Sequence, residues 1–204
     1  MHKKRSNAWV FVFLAMAITG ISIMLRPNRS TDPTQHPAVG SNYPGFNVLG
    51  LAGVGSEEPQ ERVGLEDVSG KVVLLNLWGP WCPPCRRELP GIDQIARDYR
   101  TNPKFQLLAV SFAGSVTDPA LLESNTRDFL QEMNLTLPAY TDIDGFTLTG
   151  AEVALDQQGL SLPTTFLIDA GGVIRAVWIG YQSGDEDKMR ALIDKLLEEE
   201  PVAA

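Results

Sequence analysis

Cys82 and Cys85 are the only cysteines in 204 residues, and they stand two prolines apart in "WGPWCPPCRRELP", residues 78–90. A thiol pair at this spacing serves as half of a metal site, as a small structural crosslink, or as a disulfide that opens and closes. A closed zinc site takes four Cys or His ligands. The histidines are His2 and His36, one beside the N-terminus and one in a proline-rich stretch, so no metal is expected, and a copper module of the Cys/His type fails on the same shortage. A crosslink around four residues adds only about 2 kcal/mol in the chain-entropy treatment. A domain with a core of its own gains little from that. Redox cycling makes better use of the position. The start of a helix offers unsatisfied N–H groups and a positive dipole end, which favour a thiolate at Cys82. Cys85, one turn further on, is placed to attack a mixed disulfide formed on Cys82. Pro83 and Pro84 fall in the first turn, where a missing N–H costs little, and they stiffen the loop.

Such a pair needs a strand to deliver it and a helix to receive it. "KVVLLNLW" (71–78) reads as a strand buried on both faces. Leu89, Ile92, Ile95, Ala96 and Tyr99 recur at helical spacing, which predicts an amphipathic helix to about Tyr99. "FQLLAVSF" (105–112) is a second buried strand, so the three form a βαβ unit with parallel strands and the cysteines at its first turn. Asp118-Pro119 caps a helix through Leu121, Leu122, Phe129, Leu130 and Met133, with a break expected near Ser124-Asn125. A short strand is expected in 137–142 and a short helix in 145–155. Residues 164–180 form a hairpin around Ala170-Gly171-Gly172. A helix carrying Met189, Leu192, Ile193 and Leu196 on one face runs from Asp185. The sum is a layered α/β sheet with helices on its faces. Asp142 and Asp144 in "TDIDG" read as a solvated turn, because the other ligands of a calcium loop are missing.

Net charge is −8, divided as +4 in residues 1–45 and −12 in the remainder. An acidic body repels phosphate backbones, so nucleic acid is not an expected partner. Three basic residues at 3–5 precede an uncharged run from Ala8 to Leu25. Eighteen helical residues cover ~27 Å, close to a bilayer's hydrocarbon thickness. Residues 1–25 are therefore read as a retained signal-anchor transmembrane segment. A cleaved signal peptide is the alternative, but the sole A-x-A, "AMA" at 15–17, lies inside the apolar run. Basic residues before the span keep the N-terminus cytoplasmic and send the rest across the membrane. Residues 26–45, with four prolines and two glycines, read as a flexible linker reaching up to ~65 Å, and the folded domain as 46–204.

"LNLWGPWCPPC", Pro90 five residues past Cys85, and "LPTTFLID" together make residues 46–198 resemble the thioredoxin superfamily, and within it the membrane-anchored TlpA/ResA-like thiol:disulfide oxidoreductases. The resemblance implies a thioredoxin-like fold, a central mixed sheet with helices on both faces, behind an N-terminal transmembrane helix. It implies that Cys82 is the exposed nucleophile, Cys85 the resolving thiol, and the two together the redox-active disulfide. Pro163 is then preceded by a cis peptide bond and faces that disulfide, with Leu162, Pro163 and Thr164 docking substrate by their backbone. Trp81 lines the substrate-facing surface, whereas Trp78 belongs to the core. Asn76 stands where cytoplasmic thioredoxin has a buried aspartate. Glu88 matches the acidic residue of the TlpA/ResA-like group; its charge is expected to raise the thiol pKa values and to give the resolving step a proton acceptor.

The activity so implied needs no bound cofactor. It is reduction of disulfides in partner proteins, apocytochrome c during cytochrome c maturation being a family-typical client, with recharging by a membrane electron donor. Location is the cell inner membrane, single-pass, with the catalytic domain on the periplasmic side. Three alternatives stay open: a disulfide-donating oxidase, since potential sets direction and Pro83-Pro84 does not fix it; a thiol peroxidase working through a sulfenic acid; and a non-enzymatic redox-gated binding module. The anchor has a direct check. Full-length protein should fractionate with membranes on a western blot, and a shortened soluble product would overturn that reading.

Overall fold

A computed structural model of the chain describes residues 32–51, 61–112, 114 and 118–199. The expected anchor (1–25) and the first part of the expected linker lie outside these. Among the described residues no helix is long and apolar enough to cross a membrane. The strands are β1 (Asn47–Gly50), β2 (Arg62–Gly64), β3 (Val72–Trp78), β4 (Phe105–Ser111), β5 (Ala139–Thr141), β6 (Thr164–Ile168) and β7 (Ile174–Ile179). The helices are α1 (Pro83–Asp98), α2 (Pro119–Glu132), α3 (Phe146–Leu155) and α4 (Asp185–Glu198). The strands form one sheet in the order β2-β1-β5-β4-β3-β6-β7. β3 runs parallel to β4, and β4 to β5, as a strand–helix–strand unit requires. β6 pairs antiparallel with both β3 and β7, so the sheet is mixed.

Every residue of β3 is buried, which is why its sequence is apolar without alternation. Val72, Leu74 and Trp78 face a core built with Leu89, Ile92 and Ile95 of α1, Phe129 of α2, and Met189 of α4. Val73, Leu75 and Leu77 face the opposite core, with Tyr43, Phe46, Phe166 and Ala151 of α3. Helices therefore cover both faces. Asn76 shares the parity of Leu74 and Trp78 and so points to the α1 side.

The fold departs from the sequence reading at the linker, at β1 and β2, and at α2. From Asp32 onward the expected linker belongs to the fold. The Asp32 carboxylate caps a short helical turn at Pro33–Gln35. Gly40 N donates to Ile174 O at 2.8 Å, Ile174 N to Ser41 O at 2.9 Å, and Tyr43 N to Gly172 O at 2.9 Å. These bonds cover the start of β7, the edge strand, whose backbone groups need partners. Tyr43 is 2% exposed and packs edge-on against Phe166, ring centroids 5.2 Å apart. Proline and small polar residues disguised this segment, because its order comes from pairing with a distant hairpin. β1 and β2, only four and three residues long, carry no periodic signal. α2 is unbroken: Ser124 Oγ turns back to donate to Leu121 O at 3.1 Å, which satisfies the hydroxyl without ending the helix.

Tyr43 gives the first structural test. Tyr43→Ala should lower unfolding free energy in a denaturant titration by about 3–5 kcal/mol, the range for truncating a buried large aromatic. A free linker would lose nothing.

Candidate active site

β3 ends at Trp78, and the chain turns through Gly79, Pro80 and Trp81 into α1. Cys82 is the N-cap: its backbone is extended, its Sγ accepts from Cys85 N at 3.2 Å, and its carbonyl accepts from Arg86 N at 3.3 Å. Pro83 and Pro84 occupy the first two helical positions, where their missing donors cost least. Cys82 and Cys85 are joined by a disulfide, with Cα atoms 5.3 Å apart. The expectation that Cys82 is exposed requires correction. It is 2% exposed and Cys85 0%, because in the oxidised state both sulfurs join the apolar cluster of Trp78, Leu89 and Trp178.

Trp81, by contrast, is 56% exposed, and its Nε1 donates to Phe112 O at 3.2 Å. Its indole lies so close to Gly79 and Gly114 that a Cβ on either would meet the ring at 2.8 or 2.9 Å, so both positions need glycine. Trp81 and Leu162 border one cavity of about 480 Å³, whose other walls include Phe112, Leu122, Asp142 and Leu148. The Leu162–Pro163 peptide bond is cis. The β3–β6 register sets Thr164 opposite Leu77, which brings this bond to the end of β3, where the cysteine turn begins. Pro163 O already accepts from Gly180 N at 2.8 Å, and the buried Thr164 donates its Oγ1 to Ser161 O at 2.6 Å. Half-buried Leu162 is thus the member of the trio that lines the cavity.

Glu88 is not a solvated helical charge. It is 1% exposed on the inner face of α1, one turn beyond Cys85. Asn76 Nδ2 donates to its Oε2 at 2.8 Å, Thr165 Oγ1 donates to its Oε1 at 3.4 Å, and Asn76 Nδ2 also donates to Thr165 Oγ1 at 2.8 Å. Burial pushes the Glu88 carboxyl up to about 7; the Asn76 and Thr165 hydrogen bonds oppose this, and the charges of Glu186 and Asp185 add to it. Thr165 did not emerge from the sequence. It lies in the quoted "LPTTFLID", but only the Asn76–Thr165 pairing of β3 with β6 gives it a role. Asp142 also departs from expectation. It is buried, accepts from Leu148 N at 2.9 Å and Thr147 N at 3.3 Å, and so caps α3 instead of forming a solvated turn.

With this geometry in hand, known proteins supply a context. The AhpC/TSA family profile matches residues 39–177. The chain is 31% identical to thioredoxin-like protein YneN of Bacillus subtilis (strain 168), over 76% of this chain and 79% of that one. It is 31% identical to thiol-disulfide oxidoreductase ResA of Geobacillus thermodenitrificans (strain NG80-2), over 92% and 95%. A crystal structure of a thiol:disulfide interchange protein of the thioredoxin family from Chlorobium tepidum TLS superposes with a TM-score of 0.60 at 19% identity. It covers 78% of this chain and 97% of that one, a likeness of fold.

The raised carboxyl has a thermodynamic consequence. An acid whose folded-state pKa lies above its unfolded value favours folding below the unfolded value, here 4.5, and that contribution is lost as pH rises through about 7. The loss amounts to about 3 kcal/mol. Unfolding free energy measured across this window should fall in the wild type by that much more than in Glu88→Gln.

Proposed function

The chain belongs to the AhpC/TSA family of thioredoxin-like proteins and is a thiol-disulfide oxidoreductase; from that premise we propose that it is an extracytoplasmic reductant of disulfides in partner proteins. The observation that carries the direction is Glu88, buried one turn beyond Cys85. A carboxylate in that position disfavours nearby thiolates. Strong disulfide oxidants owe their potential to a stabilised reduced form. A buried acid beside the thiols works the other way and makes the dithiol more willing to give up its electrons.

In the proposed cycle the Cys82 thiolate attacks one sulfur of the client disulfide. The Cys82–client S–S bond forms, the client's own S–S bond breaks, and the second client sulfur leaves as a thiolate that takes a proton from water. Cys85 passes its proton to the Glu88 carboxylate, and the resulting thiolate attacks Cys82 Sγ, so that the Cys82–Cys85 bond forms, the Cys82–client bond breaks and the client sulfur leaves as a thiolate that takes up a proton. The client leaves with two electrons gained, and Cys82–Cys85 is oxidised. Because Cys82 is buried in the oxidised state, Trp81 is the exposed landmark beside it. The client chain lies in the cavity between Trp81 and Leu162, beside the cis Leu162–Pro163 bond. A membrane electron donor returns two electrons per cycle. Apocytochrome c fits as client, since its haem-attachment cysteines must be reduced in a compartment that oxidises thiols. The uncharged run from Ala8 to Leu25 supports a single-pass inner-membrane anchor with the domain on the periplasmic side.

Two variants test the cycle. Cys85→Ser leaves the mixed disulfide unresolved, so it should be recovered from cells with client covalently attached and releasable by dithiothreitol. Cys82→Ser should lose insulin reduction with dithiothreitol as reductant. Wild-type protein that reduces no insulin and a Cys85→Ser variant that captures nothing would sink the proposal.

A further inference from the structure

We propose that Asn76 and Thr165 are positioning residues that hold the Glu88 carboxylate as the proton acceptor for Cys85, an inference that rests on the reductant reading above. The hydrogen-bond inventory points to it. Asn76 contributes two N–H hydrogens and Thr165 one O–H. One amide hydrogen goes to Glu88 Oε2, the other to Thr165 Oγ1, and the threonine hydroxyl passes its own to Glu88 Oε1. Each carboxyl oxygen has a partner, and with the threonine hydroxyl donating the set suits an ionised carboxyl.

The surroundings make the hold necessary. On α4, Asp185 and Glu186 bring negative charge; Lys188 pairs with Asp185 at 3.1 Å, and Tyr181 precedes the helix as a further titratable group. On α1 itself Glu88 follows Cys85 by one turn and stands next to the exposed Arg87, and Glu186 lies across Gly91. The strands β3 and β6 contribute Asn76 and Thr165 and no cation. These two side chains are thus the named groups that favour the carboxylate form, against burial and two acids that oppose it. Asn76 Oδ1 adds a second observation: it is buried without a hydrogen-bond partner. Rotation of the amide about Cβ–Cγ presents that oxygen where Nδ2 stands, as the acceptor that a newly protonated Glu88 requires. The same residue thereby serves the carboxyl before and after it takes the Cys85 proton.

Thr165→Val removes the hydroxyl at nearly constant volume, and Thr165→Ser keeps it. Two readouts are followed: the carboxyl-carbon NMR signal of Glu88, identified by its loss in Glu88→Gln, and the pH profile of the single-turnover resolving rate. Glu88 must be ionised to accept the proton, so the rate climbs with pH through its titration. A lost donor moves that climb to higher pH. Thr165→Val should shift both midpoints up by about one pH unit, with Thr165→Ser matching the wild type. An unmoved Glu88 signal in Thr165→Val, an equal shift in Thr165→Ser, or a moved signal with an unmoved rate profile overturns the proposal. Should Thr165→Val not fold, Asn76→Leu, which removes both amide hydrogens, repeats the test and should shift the midpoints at least as far. Wild-type protein that reduces no client disulfide while Glu88 still responds to Thr165 brings down the reductant reading and leaves the hold on Glu88 standing.

Discussion

Five residue pairs join β3 to β6, from Val73↔Ile168 to Leu77↔Thr164, and the site depends on their register. Side chains alternate across a sheet, so a slip of one residue would place Thr164 or Phe166 opposite Asn76 and turn the Thr165 hydroxyl to the other face. Glu88 would lose one hydrogen-bond partner, and the Leu162–Pro163 bond would move away from the end of β3. One antiparallel pairing thus does two tasks. It assembles the polar cluster beneath the disulfide, and it brings the proline loop to the cysteine turn. The full burial of β3 protects the register, since a slip would also exchange the residues facing its two cores.

Opposed electrostatic influences meet at this turn. The start of α1 favours negative charge at Cys82, whose sulfur already accepts from Cys85 N. In the proposed cycle a charged Glu88 acts against it one turn beyond Cys85. Of the two adjacent arginines, Arg87 is exposed, and Arg86 is bound to Glu132 at 2.6 Å and lies 4.8 Å over the ring of Phe129. The two sulfurs therefore differ in environment although they share a helix. Such a difference suits a division into attacking and resolving thiols. It suits a peroxidase less well, since reactive thiolates are sustained by electropositive surroundings, and the charges around Glu88 are acidic.

What was legible in the sequence was what local forces determine. The cysteine pair, the prolines at a helix start, the apolar run of β3 and the hairpin at Ala170-Gly171-Gly172 all declare themselves within a dozen residues. Tyr43 did not, because its burial comes from Phe166, more than a hundred residues away. Thr165 and Asp142 were hidden for related reasons. The first gains its role from strand register, and the second from capping a helix that begins four residues later. The burial of Cys82 was misjudged because attack requires access, whereas the oxidised sulfur packs against the core. Asn76 was visible as a departure from the thioredoxin pattern, but its connection to Glu88 needs the sheet.

The cluster is poor design by the standard of stability alone. An ionised carboxyl in a buried site costs the fold about 3 kcal/mol at neutral pH, a large share of the roughly 5–15 kcal/mol that holds a typical domain. Replacing buried polar groups together with well-packed apolar residues is often neutral or stabilising, whereas removing one partner strands the other. Leucine, valine and isoleucine at positions 88, 76 and 165 would therefore satisfy the folding requirements of α1, β3 and β6. The only polar residue in the seven of β3 is Asn76, set beside the helix that carries both cysteines. A polar group in that strand answers no need of the sheet, so its reason lies with Glu88 and, in the proposed cycle, with the sulfur one turn above.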